Sequence, residues 1–364
     1  LFLGGKKFPQ RTFPPSLRAR WDALQPSTMR QPRTTMHTLH IGVALTFLIA
    51  ACAATPKPPR RAAARPVARN VDLPLGAQAR TLAGRPLPAP ALSSLELAKR
   101  GAALDAARQA WDAAPGDPEA LIWVGRRLGY LGRMREALDT FTIGVAQHPE
   151  DARMLRHRGH RYISVREFEL ALADLERAAE LVRGRPDEVE PDGMPNKSGI
   201  PLETLQSNIH YHLGLARFLL GDWRGAEAAF RDAFAAARNA DNQCSATHWL
   251  YLSLRKQGEH AQAAQALEAV RSLDDVVEYR GYFELCRGYL GEMSLDEVFE
   301  RARARGGVEF ATCGFGAASW HAFEGHAERA REILDQVLAS ENPFAFGFIA
   351  AEAERASSSS GAAR

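Results

Sequence analysis

Beyond residue 93 the apolar residues recur at the three-and-four spacing of amphipathic helices, broken by Gly and Pro, with no alternating strand pattern. A fixed offset overlies that spacing. Gly125 and Gly159 are 34 residues apart, and so are Ala137 and Ala171, Phe141 and Leu175, and Gly144 and Ala178. The offset marks repeated helix pairs, each too small to bury its own apolar face. One unit starts at Pro118 and carries Leu121, Gly125, Leu128, Gly132, Ala137, Phe141 and Gly144. A second runs from Ala152, a third from Ser207, and a looser fourth carries Leu250, Leu254, Gly258, Ala263 and Leu267. A degenerate fifth spans about Tyr279 to Ala304, and a last one carries His321, Gly325, Ala330 and Leu334. Leu95 to Ala114 reads as a lone leading helix, Phe344 to Ala356 as a capping helix, and 357–364 as a disordered tail.

With that period, and with small residues where paired helices must approach, the body resembles the tetratricopeptide repeat. The resemblance implies an all-α solenoid, a right-handed superhelix with a concave groove lined by the first helix of each pair. The expected superhelix covers 93–356. The stretches DPEALIWVGRR (Asp117–Arg127), RHRGHRYI (Arg156–Ile163), GIPLETLQSNIHYHLGLA (Gly199–Ala216), ATHWLY (Ala246–Tyr251) and FGFIAAEAE (Phe346–Glu354) further resemble an uncharacterised family of bacterial lipoproteins built on this repeat. That likeness implies a fold and no mechanism.

The family's groove positions, carried onto this chain, select Trp123, Arg126 and Tyr130 from the first unit. They select Arg153, Arg156, His157 and His160 from the second, Asn208, Tyr211 and His212 from the third, and His248 and Trp249 from the fourth. Arginine pairs bidentately with carboxylates, and aromatic faces hold planar or apolar groups. The expected ligand is therefore a protein or peptide bearing an anionic or carboxylate group. Salt bridges between neighbouring repeats are the competing use of these arginines. Between Gly159 and Gly214 lie 55 residues, one period plus 21, and the excess sits in a Pro- and Gly-rich insertion at 182–201. Such a loop is expected to fold over the edge of the groove, with Asp187, Glu188, Glu190 and Asp192 available to its Arg and His residues.

The alternative function is a metal-dependent or hydrolytic enzyme. His157 and His160 share a helix face, His212 and His248 are within reach of them on this reading, and the loop adds carboxylates. No HExxH, nucleophile elbow or P-loop occurs, so no catalytic residue, metal or other cofactor is expected and the chain is read as a non-catalytic scaffold. Cys244, Cys286 and Cys313 show no CxxC spacing; they read as buried apolar fillers, and the spacing selects no disulfide pair.

Charge divides the chain. Of its 46 Lys+Arg and 43 Asp+Glu, residues 1–92 hold 14 and 2, and residues 93–364 hold 32 and 41, so a +12 front joins a −9 body. An acidic body argues against nucleic acid as partner. The front carries an export signature: Arg30 and Arg33, a 13-residue apolar run from Leu39 to Ala51, then small residues and Cys52. The run is shorter than the ~20 residues of a spanning helix. It resembles the lipobox of bacterial lipoproteins, which implies lipid attachment at Cys52 after removal of a signal peptide at 29–51. Residues 1–28 are expected to be an untranslated upstream extension. Residues 52–92, rich in Pro, Ala and Arg, are expected to be a disordered tether. The implied location is the bacterial cell envelope, facing the periplasm, with Ala53 favouring the outer over the inner membrane.

Overall fold

The structure, a computed structural model, describes residues 72–361. Cys52, the apolar run before it and the start of the expected tether lie outside the described residues. Fourteen helices follow a small hairpin within them. The helices are α1 (Ser94–Ala113), α2 (Pro118–Tyr130), α3 (Met134–Gln147), α4 (Ala152–Ser164), α5 (Phe168–Val182), α6 (Leu205–Leu219) and α7 (Trp223–Ala236). They continue as α8 (Ala240–Gln257), α9 (His260–Glu268), α10 (Arg280–Tyr289), α11 (Leu295–Arg305), α12 (Gly307–Phe323), α13 (Ala327–Leu338) and α14 (Phe346–Gly361). From α2 to α13 they form six antiparallel pairs, and apart from the hairpin the described residues form an all-α tetratricopeptide-type solenoid.

Local chemistry sets the boundaries. Asp117, Asp151, Thr204, Asp222, Asn239 and Ser294 each accept a backbone N–H in the first turn of the helix they precede. Within a pair, glycine on the first helix admits a large side chain from the second. A methyl group added at Gly125 would lie 2.4 Å from the Phe141 ring, at Gly159 2.7 Å from Leu175, and at Gly214 2.6 Å from Phe230. Gly125 with Phe141 and Gly159 with Leu175 are among the positions that carry the 34-residue period, and Gly214 with Phe230 repeats their contact beyond the insertion, so the period records a helix–helix distance.

Two expectations are corrected. Residues 72–92 are not a disordered tether. They form an antiparallel hairpin of β1 (Ala77–Arg80) and β2 (Pro86–Pro88), with Ala79 opposite Leu87. Ala79 and Leu87 are buried against Met134 and Val165, with Leu138, Tyr162 and Phe344 alongside. The hairpin thus seals a seam between the first two units and the C-terminal segment. Strands this short offer two apolar anchors, and their prolines read as coil. The C-terminal helix likewise runs on to Gly361, into the stretch expected to be a disordered tail.

The second unit also breaks the turn rule. Gly132, Gly221, Gly258, Gly291 and Gly325 have positive φ between the paired helices of the other units. In the second unit that place belongs to Arg166, with φ 66°, the one non-glycine among the described residues with positive φ. A side chain there costs about 1–2 kcal/mol of backbone strain. Arg166 is 1 % exposed. Its guanidinium donates to Glu352 on α14 at 2.9 Å, to the Ser164 carbonyl at 2.6 Å and to the Pro343 carbonyl at 2.5 Å. Burial lowers its pKa and raises that of Glu352, so desolvation opposes the charges of both partners. Glu352→Ala therefore leaves a buried guanidinium unpaired, and denaturant unfolding should show a loss of about 3–5 kcal/mol. The double change Arg166→Gly, Glu352→Leu should recover most of it; a single variant as stable as the parent would show that the pair does not hold the two ends.

Candidate functional site

Helix α14 does not merely cap the last pair. It lies across the first helices of several units. Phe346 packs 5.2 Å from the His160 ring on α4 and 5.5 Å from His212 on α6. Glu354 pairs with Lys256 on α8 at 2.7 Å, and the backbone at Gly347 closes against Ala311 and Thr312 on α12. The open groove expected from the repeat is therefore occupied along part of its length by the chain's own helix.

The inserted loop occupies another part. Glu190 is buried, with its carboxylate accepting from Arg156 at 2.7 Å and from the Asn208 amide. The next residues cross α2: Arg126 donates to the Pro191 carbonyl at 2.8 Å and Arg127 to the Gly193 carbonyl at 2.8 Å. The loop thus folds over the groove as expected, through Glu190. Asp187 instead accepts from the backbone of Gln206 and lies 3.5 Å from Arg238.

Between helix and loop remains a cavity of about 510 Å³. Of the twelve expected groove residues, Arg126, Tyr130, Arg156, His157, His160, Asn208, Tyr211 and His212 line it. Four do not. Trp123 lies beneath the arginines, with Arg126 4.4 Å and Arg127 4.8 Å above its ring, and so orients them. Arg153 is an inter-unit salt bridge, 2.9 Å from Glu119 and 2.6 Å from Asp151. Trp249 is fully buried, stacked 5.7 Å from Phe315 and donating to the Tyr211 hydroxyl at 3.0 Å. His248 is equally buried, 3.1 Å from the Tyr289 hydroxyl. The third unit is longer than one period, and α8 turns these last two residues into the core.

Sequence reasoning passes over other lining residues: Arg161, Glu203, Glu278, Tyr279, Tyr282 and Phe346. Arg161 is one period from Arg127 and adjoins the expected position of His160, a signal the sequence does carry. Glu203 and Glu278 lie in connectors, and Tyr279 and Tyr282 in the unit whose register has slipped.

The cavity's cations are unusual in their partners. Arg126 donates to the Tyr130 hydroxyl at 3.3 Å and to the Pro191 carbonyl; Arg161 meets the Met134 sulfur at 3.4 Å. Neither has a carboxylate partner among the described residues. Burial lowers Arg161 to about 10. Burial, and then the nearby Arg156, hold His157 and His212 well below the usual histidine range, and burial with Arg161 does the same for His160. The His160 and His212 rings lie 4.4 Å apart, contact that neutral imidazoles tolerate. His212 donates from Nδ1 to the Asn208 carbonyl at 2.7 Å, which leaves Nε2 as an acceptor. His157 accepts at Nδ1 from Arg156 at 2.7 Å. Among the described residues no group of three or more His, Cys, Asp or Glu is placed to hold a metal ion. Cys244, Cys286 and Cys313 are free and buried, with the Cys286 thiol 3.6 Å from the Cys244 carbonyl. Among the described residues no helix is long and apolar enough to cross a membrane.

Comparison of whole structures finds tetratricopeptide proteins. YrrB, described as having an unusual peptide-binding site, is 17% identical over 70% of this chain and 100% of its own, with a TM-score of 0.38. TTC0263, a thermophilic protein of Thermus thermophilus, is 21% identical over 52% of this chain and 91% of its own, TM-score 0.38. MamA is 18% identical over 49% and 91%, TM-score 0.36. No family model and no curated protein matches the sequence.

The buried histidines give the fold an acid limit. His248 is pushed down to about 3 by burial. Below about 6.5 the unfolded chain takes up a proton that the folded site refuses, so stability is full above that pH and falls as pH drops towards 3. Each such histidine contributes a slope of up to about 1.4 kcal/mol per pH unit. Urea unfolding at pH 7 and pH 5 should show this loss, and His248→Asn should flatten it by one proton's share; an unchanged slope would assign the acid sensitivity elsewhere.

Proposed function

We propose that the protein is a non-catalytic binding scaffold that takes a carboxylate-bearing segment of a partner protein or peptide into the cavity between α2, α4 and α6. A solenoid of helix pairs is built to present such a surface. One observation carries the proposal: the groove already holds a stretch of this chain, by a carboxylate on Arg156 and main-chain carbonyls on Arg126 and Arg127. Beside that stretch, Arg126 and Arg161 face the cavity with no carboxylate of their own. A guanidinium held without a counter-charge is costly, and an arriving carboxylate relieves that cost through charge-assisted hydrogen bonds.

Binding of fluorescein-labelled peptides with free and amidated C-termini, followed by anisotropy, tests this. Free-carboxylate peptides should bind, and Arg126→Gln with Arg161→Gln should weaken them by about tenfold or more at unchanged helicity. Equal binding by the double variant would place the binding surface elsewhere.

We also infer a lipid-anchored location in the bacterial envelope, facing the periplasm, from the apolar run and Cys52. Cys52→Ala should then move the protein from the membrane to the soluble fraction, and unchanged fractionation would refute the anchor.

A further inference from the structure

The cavity carries a second, opposite charge set that the carboxylate reading leaves unused. Glu203 closes one wall. Its carboxylate accepts from the Tyr279 hydroxyl at 2.6 Å and from the Asn242 amide at 3.1 Å. Neither is a cation, and Glu203 has no ion-pair partner among the described residues. Glu278, next to Tyr279, and Asp192 on the inserted loop also line the cavity, and neither has a cationic partner among the described residues. Burial raises Glu203, which Arg156 offsets in part, and raises Glu278, to which Asp192 adds repulsion, so a positive charge placed beside them would relieve both. So one cavity holds Arg126 and Arg161 without anions, and Glu203, Glu278 and Asp192 without cations, and the two sets do not pair with each other.

Size and access narrow the occupant. A volume of about 510 Å³ falls within the ~300–1,000 Å³ of small-ligand pockets. With α14 and the inserted loop filling the rest of the groove, that space suits the end of a chain better than a strand passing through. Apolar side chains are exposed on the connectors next to the lining residues, Met194 by 50 %, Ile200 by 52 % and Val277 by 44 %, and at the start of α12, where Val308, which lines the cavity, is 60 % exposed. Those side chains suit residues preceding a terminus.

We propose that the cavity receives the C-terminus of a partner chain ending in a basic residue: its α-carboxylate goes to Arg126 and Arg161, its lysine or arginine side chain to Glu203 with Glu278 and Asp192, and apolar residues before it lie on Met194, Ile200, Val277 and Val308. The proposal rests on the carboxylate-binding reading above and adds the identity of the last residue. It requires a cation and a carboxylate on one residue, which an acidic or amidated tail cannot supply.

Three labelled hexapeptides, alike except at the end, make the test: lysine with a free carboxylate, leucine with a free carboxylate, and lysine with a carboxamide. The lysine acid should bind about tenfold or more tightly than either of the others. Glu203→Gln keeps the shape of the wall but turns one of its two acceptors into a donor, and should erase the preference for lysine over leucine. Glu278→Gln, on an exposed connector where folding is not at stake, should reduce the same preference. If lysine and leucine acids bind equally well and better than the amide, the basic-end proposal is overturned and the carboxylate function stands. If no free-carboxylate peptide binds better than the amide, both fail. Preference for lysine that survives both glutamate substitutions would also overturn the assignment.

Discussion

The centre of this molecule depends on where its last helix is held, and among the contacts that hold it one buried ion pair is the most specific. Arg166 on the second unit and Glu352 on α14 are 186 positions apart in sequence and 2.9 Å apart in space. A buried pair is a poor source of stability, because taking two charges out of water cancels much of their attraction. It is a good source of specificity, because an alternative seat for α14 leaves both charges stranded. The left-handed backbone at Arg166 points the same way. Five other units place glycine there, and the strain of a side chain is tolerated where its guanidinium has three acceptors to reach. The hairpin at 77–88 then covers the seam beneath the pair with Ala79 and Leu87.

Closure converts a groove into a cavity, and a cavity changes the chemistry of what lines it. In an open groove the histidines of α4 and α6 would be solvated and titrate near their ordinary range. Under Phe346 and Glu190 they are buried, neutral and able to stack. The same loss of solvent strengthens any charge-assisted contact made by Arg126 and Arg161. The loop and the helix therefore do more than reduce the volume. They set the dielectric in which the remaining charges act, and they leave the cations and the carboxylates of the cavity facing a common space.

The parts legible in sequence are those fixed by local rules. Gly125 and Gly159 reveal the period, and Gly214 repeats their contact, because each must face a large side chain sixteen residues on, a constraint internal to one unit. Helix starts are legible at Asp117 and Asp151 for the same local reason. Where the period is intact, in the first two units and the start of α6, the groove set is legible except for Trp123, which lies beneath the arginines, and Arg153, which the salt bridges to Glu119 and Asp151 take up. It fails at His248 and Trp249, because α8 follows a longer third unit and no local rule sets its rotation. Arg166 is legible in principle: aligning the turns shows arginine where the others have glycine. What it reaches is not, since nothing local in sequence joins residue 166 to residue 352. The hairpin is hidden for a related reason, as Ala79 and Leu87 acquire an apolar neighbourhood only once distant helices have assembled around them.

The opposed charges of the chain acquire a use once the cavity is seen. The body from 93 onward carries −9, yet guanidinium groups line the heart of its concave face. At a distance such a body repels a bare anion, and the inner arginines are too deep to reverse that field beyond a Debye length of about 8–10 Å. A simple acidic ligand would be turned away before reaching them. On the proposed reading, a tail whose lysine or arginine offsets its terminal carboxylate carries no net charge at that end and escapes that repulsion, and only inside the cavity do the two charge sets act on it separately. The outer field would then turn away bare anions, and the inner charges would hold best what carries both signs.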